Sequence, residues 1–167
     1  MFGIIFPANF NSPYKATSII DFWSRWHMTL TRYLTLYLYN PVAMRINRRR
    51  VARGLSTSRK GTRNLPAFGS LVIVPTFFTM GLAGVWHGAG MQFIVFGLLH
   101  ATYLSINHAW RIFGPQDLKP VLWRTALFTV LTYGGVLIAQ IFFRAESVSD
   151  AVSVVSAMFG MGAEHPT

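Results

Sequence analysis

Residues 18–40, SIIDFWSRWHMTLTRYLTLYLYN, alternate apolar and polar side chains with a helical period. Ile19, Phe22, Trp23, Trp26, Leu30, Tyr33, Leu34 and Tyr37 recur at i, i+3, i+4 and i+7, while Asp21, Ser24, Arg25, Thr29, Arg32 and Thr35 take the other side. The pattern predicts one amphipathic helix, opened by a capping box in which Ser18 precedes Asp21 by three residues. Its polar side carries too much charge for a simple lipid-facing span, which places the helix at a membrane interface or along a polar cavity.

The pattern then changes. No Asp, Glu, Lys or Arg occurs in residues 64–110, and a helix crosses a hydrocarbon core of about 30 Å in about 20 apolar residues. The run predicts two transmembrane spans, 68–86 and 91–110, separated by the glycines of WHGAG, with Pro75 kinking the first. A third span is predicted over 125–143, uncharged until Arg144, where Gly134 and Gly135 permit close helix packing. A second capping pattern, Ser147 with Asp150, opens a short amphipathic helix over 147–160 that Gly160 ends. These elements define an all-α polytopic membrane protein, about three transmembrane helices plus amphipathic interfacial helices, in a single domain over 1–167. No internal repeat or soluble domain interrupts it.

Composition agrees: 12% of the residues are charged, about half of the roughly 25% of an ordinary soluble domain. The net charge of +10 is concentrated, with eight of the fifteen Lys and Arg residues in 45–63. The aromatics lie elsewhere, in the apolar runs, so this is no nucleic-acid surface. By the positive-inside rule 45–63 is a basic cytoplasmic loop, and 111–124, with Arg111, Lys119 and Arg124 against Asp117, returns to the same side. Residues 144–150, with one arginine and two acids, suit the outer face. The N-terminus lacks the basic start and cleavage site of a signal peptide. The absence of cysteine removes disulfides, thiolate zinc sites and cysteine nucleophiles. HExxH, GxSxG and P-loop patterns are missing, and five acids in all leave no carboxylate pair for glycosidase chemistry.

Candidate chemistry therefore rests on the five histidines. His165 lies in a polar tail. His100 and His108, eight residues apart on the second span, sit too far apart to share a metal and read as packed or hydrogen-bonded groups. His27 lies on the flank of the amphipathic helix. His87, in GLAGVWHGAGMQF, is the sharpest case: an imidazole in a low-dielectric run stays neutral, and a neutral imidazole accepts a proton. Gly88 and Gly90 strip side chains from its surroundings, leaving room for a substrate or another backbone. Two readings stand open, a general base or a ring that caps a broken helix.

Two blocks, FNSPYKATSIIDFWSRWHMTLTRYLTLYLYNP over 10–41 and FFTMGLAGVWHGAGMQFIVFGLLHA over 77–101, resemble the membrane-bound O-acyltransferase (MBOAT) family. The likeness is to its bacterial branch that O-acetylates alginate and other surface polysaccharides, and FFRAESVSDAVSVVSAMFG over 142–160 extends it. The resemblance implies His87 as the central catalytic residue and His27 as the second. It implies Trp86 and Gly88, with Trp23, Arg25, Trp26 and Thr29 of the first block, as substrate-binding neighbours, and no metal or bound cofactor. The implied acyl donor is acetyl-CoA or a carrier-bound thioester on the cytoplasmic side. The implied acceptor is an extracytoplasmic polysaccharide hydroxyl or a periplasmic acetyl-relay protein, and the implied location is the lipid of the bacterial cytoplasmic (inner) membrane. Thr35 and Leu36, where the alginate branch has an Arg-Asp pair, and Val42 and Ala43, where Gly-Gly is common, depart from the pattern. Family members cross the membrane many more times, so the chain reads as a partial MBOAT fold, a segment of a longer protein. The rival from another class is a piece of a transporter or channel whose histidines line a polar path; a structural membrane subunit, tolerant of histidine loss, is a third.

Overall fold

A computed structural model describes residues 7–57, 63–115 and 121–161. Among the described residues the chain forms helices and no strand. Helix α1 (Ile19–Arg25) starts where the capping box places it: Ser18 Oγ accepts from the Asp21 amide at 3.2 Å. The continuous helix expected over 18–40 is broken, however. Trp26 leaves the helix with ψ of 131°, His27 turns left-handed with φ of 46°, and α2 (Met28–Leu34) begins afresh.

Helix α2 then runs on through a π-helical turn, Thr35–Tyr39, into α3 (Asn40–Ala52). The helix thus passes position 40, and residues 45–52, expected as loop, are helical. Pro41 stops nothing because it stands at the start of α3, directly after the wide turn, where a missing N–H is tolerated. One basic residue of α3 is also anchored: Arg50 Nη1 donates to Ser70 Oγ and Nη2 to the Ser56 carbonyl, each at 3.2 Å. Arg59 and Lys60 of the expected basic loop lie outside the described residues, as do Asp117, Lys119 and His165.

After Asn64, whose Oδ1 caps the Ala67 amide at 2.8 Å, come α4 (Leu65–Phe68), a second π-helical turn, Gly69–Ile73, and α5 (Val74–His87). The kink expected at Pro75 takes the form of that turn, which again comes just before the proline and relieves the clash of its ring with the preceding carbonyls. Helices α6 (Met91–Phe113), α7 (Leu122–Arg144) and α8 (Val148–Met158) complete the order. Ser147 Oγ caps α8 at the Asp150 amide, and Gly160, with φ of 72°, closes it.

Two helical runs among the described residues are long and apolar enough to cross a membrane, Leu65–His87 and Leu122–Arg144. Three spans were expected, and α6 is the exception: it is as long but carries Gln92, His100, Asn107, His108 and Arg111. Packing accounts for this. Helix α6 is the centre of the bundle, contacting α1, α5, α7 and α8, so His100 is buried and Gln92, Asn107 and His108 are partly covered by protein, while Arg111 is exposed near the end of the helix.

Helices α5 and α6 form an antiparallel hairpin so tight at Gly84 and Gly97 that a Cβ on either would strike the other helix's backbone. At one end of the hairpin Phe68 meets Phe113 at 5.4 Å between ring centroids; at the other, residues 88–90 turn the chain. Of the glycines expected to allow close packing, Gly135 faces the Tyr103 ring, which a Cβ there would meet at 3.3 Å, whereas Gly134 faces open space. Two apolar clusters hold the layers together, Ala16, Ile19, Phe22 and Val136 in one, Phe96, Ala139, Phe142 and Ala151 in the other. The arginines of α3, Arg111 and Arg124 sit toward the Phe68 end, away from the turn of the hairpin.

Candidate functional site

His87 is the last residue of α5, at the turn of the hairpin. Its ring is walled edge-on by Phe143 of α7 at 5.0 Å, Phe96 of α6 at 5.7 Å and the adjacent Trp86 at 5.1 Å. The walls are apolar, so the half-buried ring is held by shape, and its nitrogens remain available to a substrate.

His27 is delivered by the break between α1 and α2. The left-handed conformation is uncommon outside glycine, though histidine tolerates it better than most residues, and it persists only where its surroundings enforce it. A strap before α1 does so. The Asn11 amide donates to the Arg25 carbonyl and the Met28 amide to the Asn9 carbonyl, each at 2.9 Å, so the backbone groups exposed by the break are paired. The Asn9 side chain adds three contacts: Oδ1 accepts from the Thr29 amide at 3.1 Å and the Thr29 hydroxyl at 2.7 Å, and Nδ2 meets His27 Nδ1 at 3.2 Å. Phe10 and Trp26 flank the imidazole at 5.1 and 5.7 Å.

His87, at the end of α5, and His27, in the break between α1 and α2, are thus within electrostatic reach of each other. The remaining residues expected at the site divide. Trp86 borders His87 but is 72% exposed. Gly88 and Gly90, expected to leave room for a substrate, are instead filled by the chain itself, by the Phe93 ring and the Gln92 side chain. Thr29 is bound to Asn9. Trp23, Trp26 and Arg25 hold α1 in place. Trp23 Nε1 donates to His100 Nδ1 at 3.3 Å, Trp26 stacks on Phe22 at 5.7 Å, and Arg25 pairs with Asp21 at 2.8 Å while reaching the Asn11 carbonyl. His100, 1% exposed, is thereby a packed and hydrogen-bonded group.

Sequence reasoning missed Asn9, Phe96 and Phe143. Asn9 stands one position ahead of the FNSPYK block, and its partners lie 18 and 20 residues away, so no local periodicity marks it. Between α1, α2, α5 and α6 lies a cavity of about 340 Å³ lined by Trp23, Thr31, Tyr39, Thr76, Thr79 and His108, among others.

The fold defines an α-helical membrane protein, with His87 at the turn of its central hairpin. No family model matches the chain. Among curated proteins it is 38% identical over 164 residues to the peptidoglycan O-acetyltransferase of Helicobacter pylori, covering 96% of this chain and 26% of that protein. It is 36% identical over 163 residues to the "Probable alginate O-acetylase AlgI" of Azotobacter vinelandii, 97% of this chain and 28% of the relative. The teichoic acid D-alanyltransferase of Bacillus subtilis is 30% identical over 133 residues, 78% of this chain and 30% of that protein. The chain belongs to the membrane-bound O-acyltransferase family. It spans about a quarter of the length of the curated relatives it matches.

Proposed function

We propose that this chain carries the histidine site of a membrane O-acyltransferase that moves an acyl group, acetyl in the first instance, from a thioester to a hydroxyl of an extracytoplasmic polysaccharide. The observation that carries the reading is that His27 and His87 lie within electrostatic reach of each other, in a chain whose relatives are named for acyl transfer to cell-surface polymers. His87 takes the proton of the acceptor hydroxyl as its oxygen attacks the thioester carbonyl, a general-base role worth about 10² to 10⁴ in rate. His27 donates a hydrogen bond to the oxyanion that develops on that carbonyl. Collapse breaks the C–S bond, the imidazolium of His87 returns its proton to the departing sulfur, and ester and free thiol leave.

The donor, acetyl-CoA or a carrier-bound thioester, approaches from the cationic end of the bundle, which is the cytoplasmic face of the inner membrane in this reading. The cavity lined by Tyr39, Thr79 and His108 is of a size to admit the slender thioester arm. The acceptor, or a relay protein that carries the acyl group onward, meets the histidine end. The apolar rings of Phe96 and Phe143 cover part of His87 and limit the access of water that would hydrolyse the thioester.

The test compares wild type with His87→Ala in the native host at matched membrane abundance, quantifying base-released acetate on the surface polysaccharide. Loss of ester by a hundredfold or more is expected. Unchanged ester overturns the role of His87 and moves the transporter reading ahead.

A further inference from the structure

We propose that Asn9 is a positioning residue that sets the tautomer of His27, so that the ring presents Nε2–H to the reacting acyl group. The assignment follows from which partners are able only to donate. The Thr29 backbone amide donates to one side-chain atom of Asn9, which fixes that atom as the oxygen Oδ1. The other, Nδ2, then faces His27, and an amide NH₂ donates and does not accept. His27 Nδ1 must therefore accept, which in the neutral ring puts the proton on Nε2, the nitrogen on the far side from Asn9.

Position strengthens the assignment. His27 precedes α2 yet makes no side-chain cap to it. The amides of Met28 and Thr29, which would otherwise be unpaired at the start of that helix, are taken by the Asn9 carbonyl and side chain instead. Asn9 thus caps α2 from the strap and frees the imidazole, whose tautomer it fixes with its remaining donor. A hydrogen-bonding partner on the nitrogen away from the chemistry is the usual way a protein selects an imidazole tautomer. The use of Nε2–H as oxyanion donor rests on the acyl-transfer reading; the tautomer itself does not.

Asn9→Asp separates the two tasks. One carboxylate oxygen still accepts from the Thr29 amide and hydroxyl, so the cap survives, while the other only accepts and forces a proton onto His27 Nδ1. The experiment uses ¹⁵N-histidine-labelled whole protein in lipid, with the His27 resonances assigned by their loss in His27→Gln, alongside acyl-transfer kinetics. Expected, with spectra and rates taken at a pH high enough to keep the ring neutral, is an Nε2-protonated ring in wild type, an Nδ1-protonated ring in Asn9→Asp, and a kcat lower by about 10² with KM within twofold, the scale for a lost oxyanion donor. An Nδ1–H tautomer in wild type, or Asn9→Asp with unchanged ¹⁵N pattern or kcat, overturns the proposal. Absence of acyl transfer in wild type refutes the functional reading alone, since the wild-type ¹⁵N pattern still decides the tautomer.

Discussion

The indole of Trp23 donates to Nδ1 of His100 at 3.3 Å, across 77 residues of sequence, and this bond fastens α1 to the central helix α6. His100 is 1% exposed, so its acceptor has no water to fall back on. Trp23→Phe keeps most of the ring contact and strands the imidazole nitrogen. The expected cost is about 1–3 kcal/mol, the desolvation penalty of an unpaired buried polar atom. Thermal unfolding of the purified protein in detergent checks it, and an unshifted midpoint would mean that the bond contributes nothing.

A methyl group at Gly84 or Gly97 has nowhere to go, because it meets the backbone of the facing helix rather than a side chain able to swing away. Gly97→Ala is expected to force α5 and α6 apart, sharply lowering the yield of monodisperse protein in size-exclusion chromatography. Gly134→Ala, which meets nothing within 4 Å, is expected to leave that yield unchanged or raise it. Equal behaviour of the two variants would contradict the packing described.

Phe142 and Phe143 are neighbours with opposite duties. Phe142 is buried among Phe96, Ala139 and Ala151, so Phe142→Ala is expected to cost about 3–5 kcal/mol of stability. Phe143 stands against the His87 ring at 5.0 Å. Phe143→Ala is expected to lower kcat about tenfold by freeing that ring, with a smaller fall in unfolding temperature. Paired kinetics and melting curves on the two variants read the difference directly.

Tyr133 of α7 donates its hydroxyl to the Pro13 carbonyl and ties the strap to the bundle. Tyr133→Phe removes only the oxygen. A net loss of about 1 kcal/mol is expected, together with faster cleavage in the strap during limited proteolysis. Unchanged cleavage would show that the backbone bonds of Asn9 and Asn11 hold the strap unaided.

Much of the local structure is legible in the chain. The caps at Ser18 and Ser147 and the glycine stop at 160 are written within a few residues of the groups they satisfy. The break at Trp26 and His27 is not, because the helical period runs straight across it. Only the strap, bonding to both sides of the break, makes the departure from helix affordable. Nor does the sequence separate α6 from the true apolar helices: an uncharged run reads as a span wherever it lies, and being surrounded is not a local property.

The sequence by itself determined that this is a helical membrane chain and where several of its helices begin, and it singled out His27 and His87 as candidates, since periodicity, caps and motifs act over a turn or two of chain. Tertiary structure decided which side chains reach them. It placed Phe96 and Phe143 around His87 and set Trp23 and Arg25 to holding α1. It also brought Asn9 to His27, because hydrogen bonds and ring contacts depend on distances in space that folding alone creates.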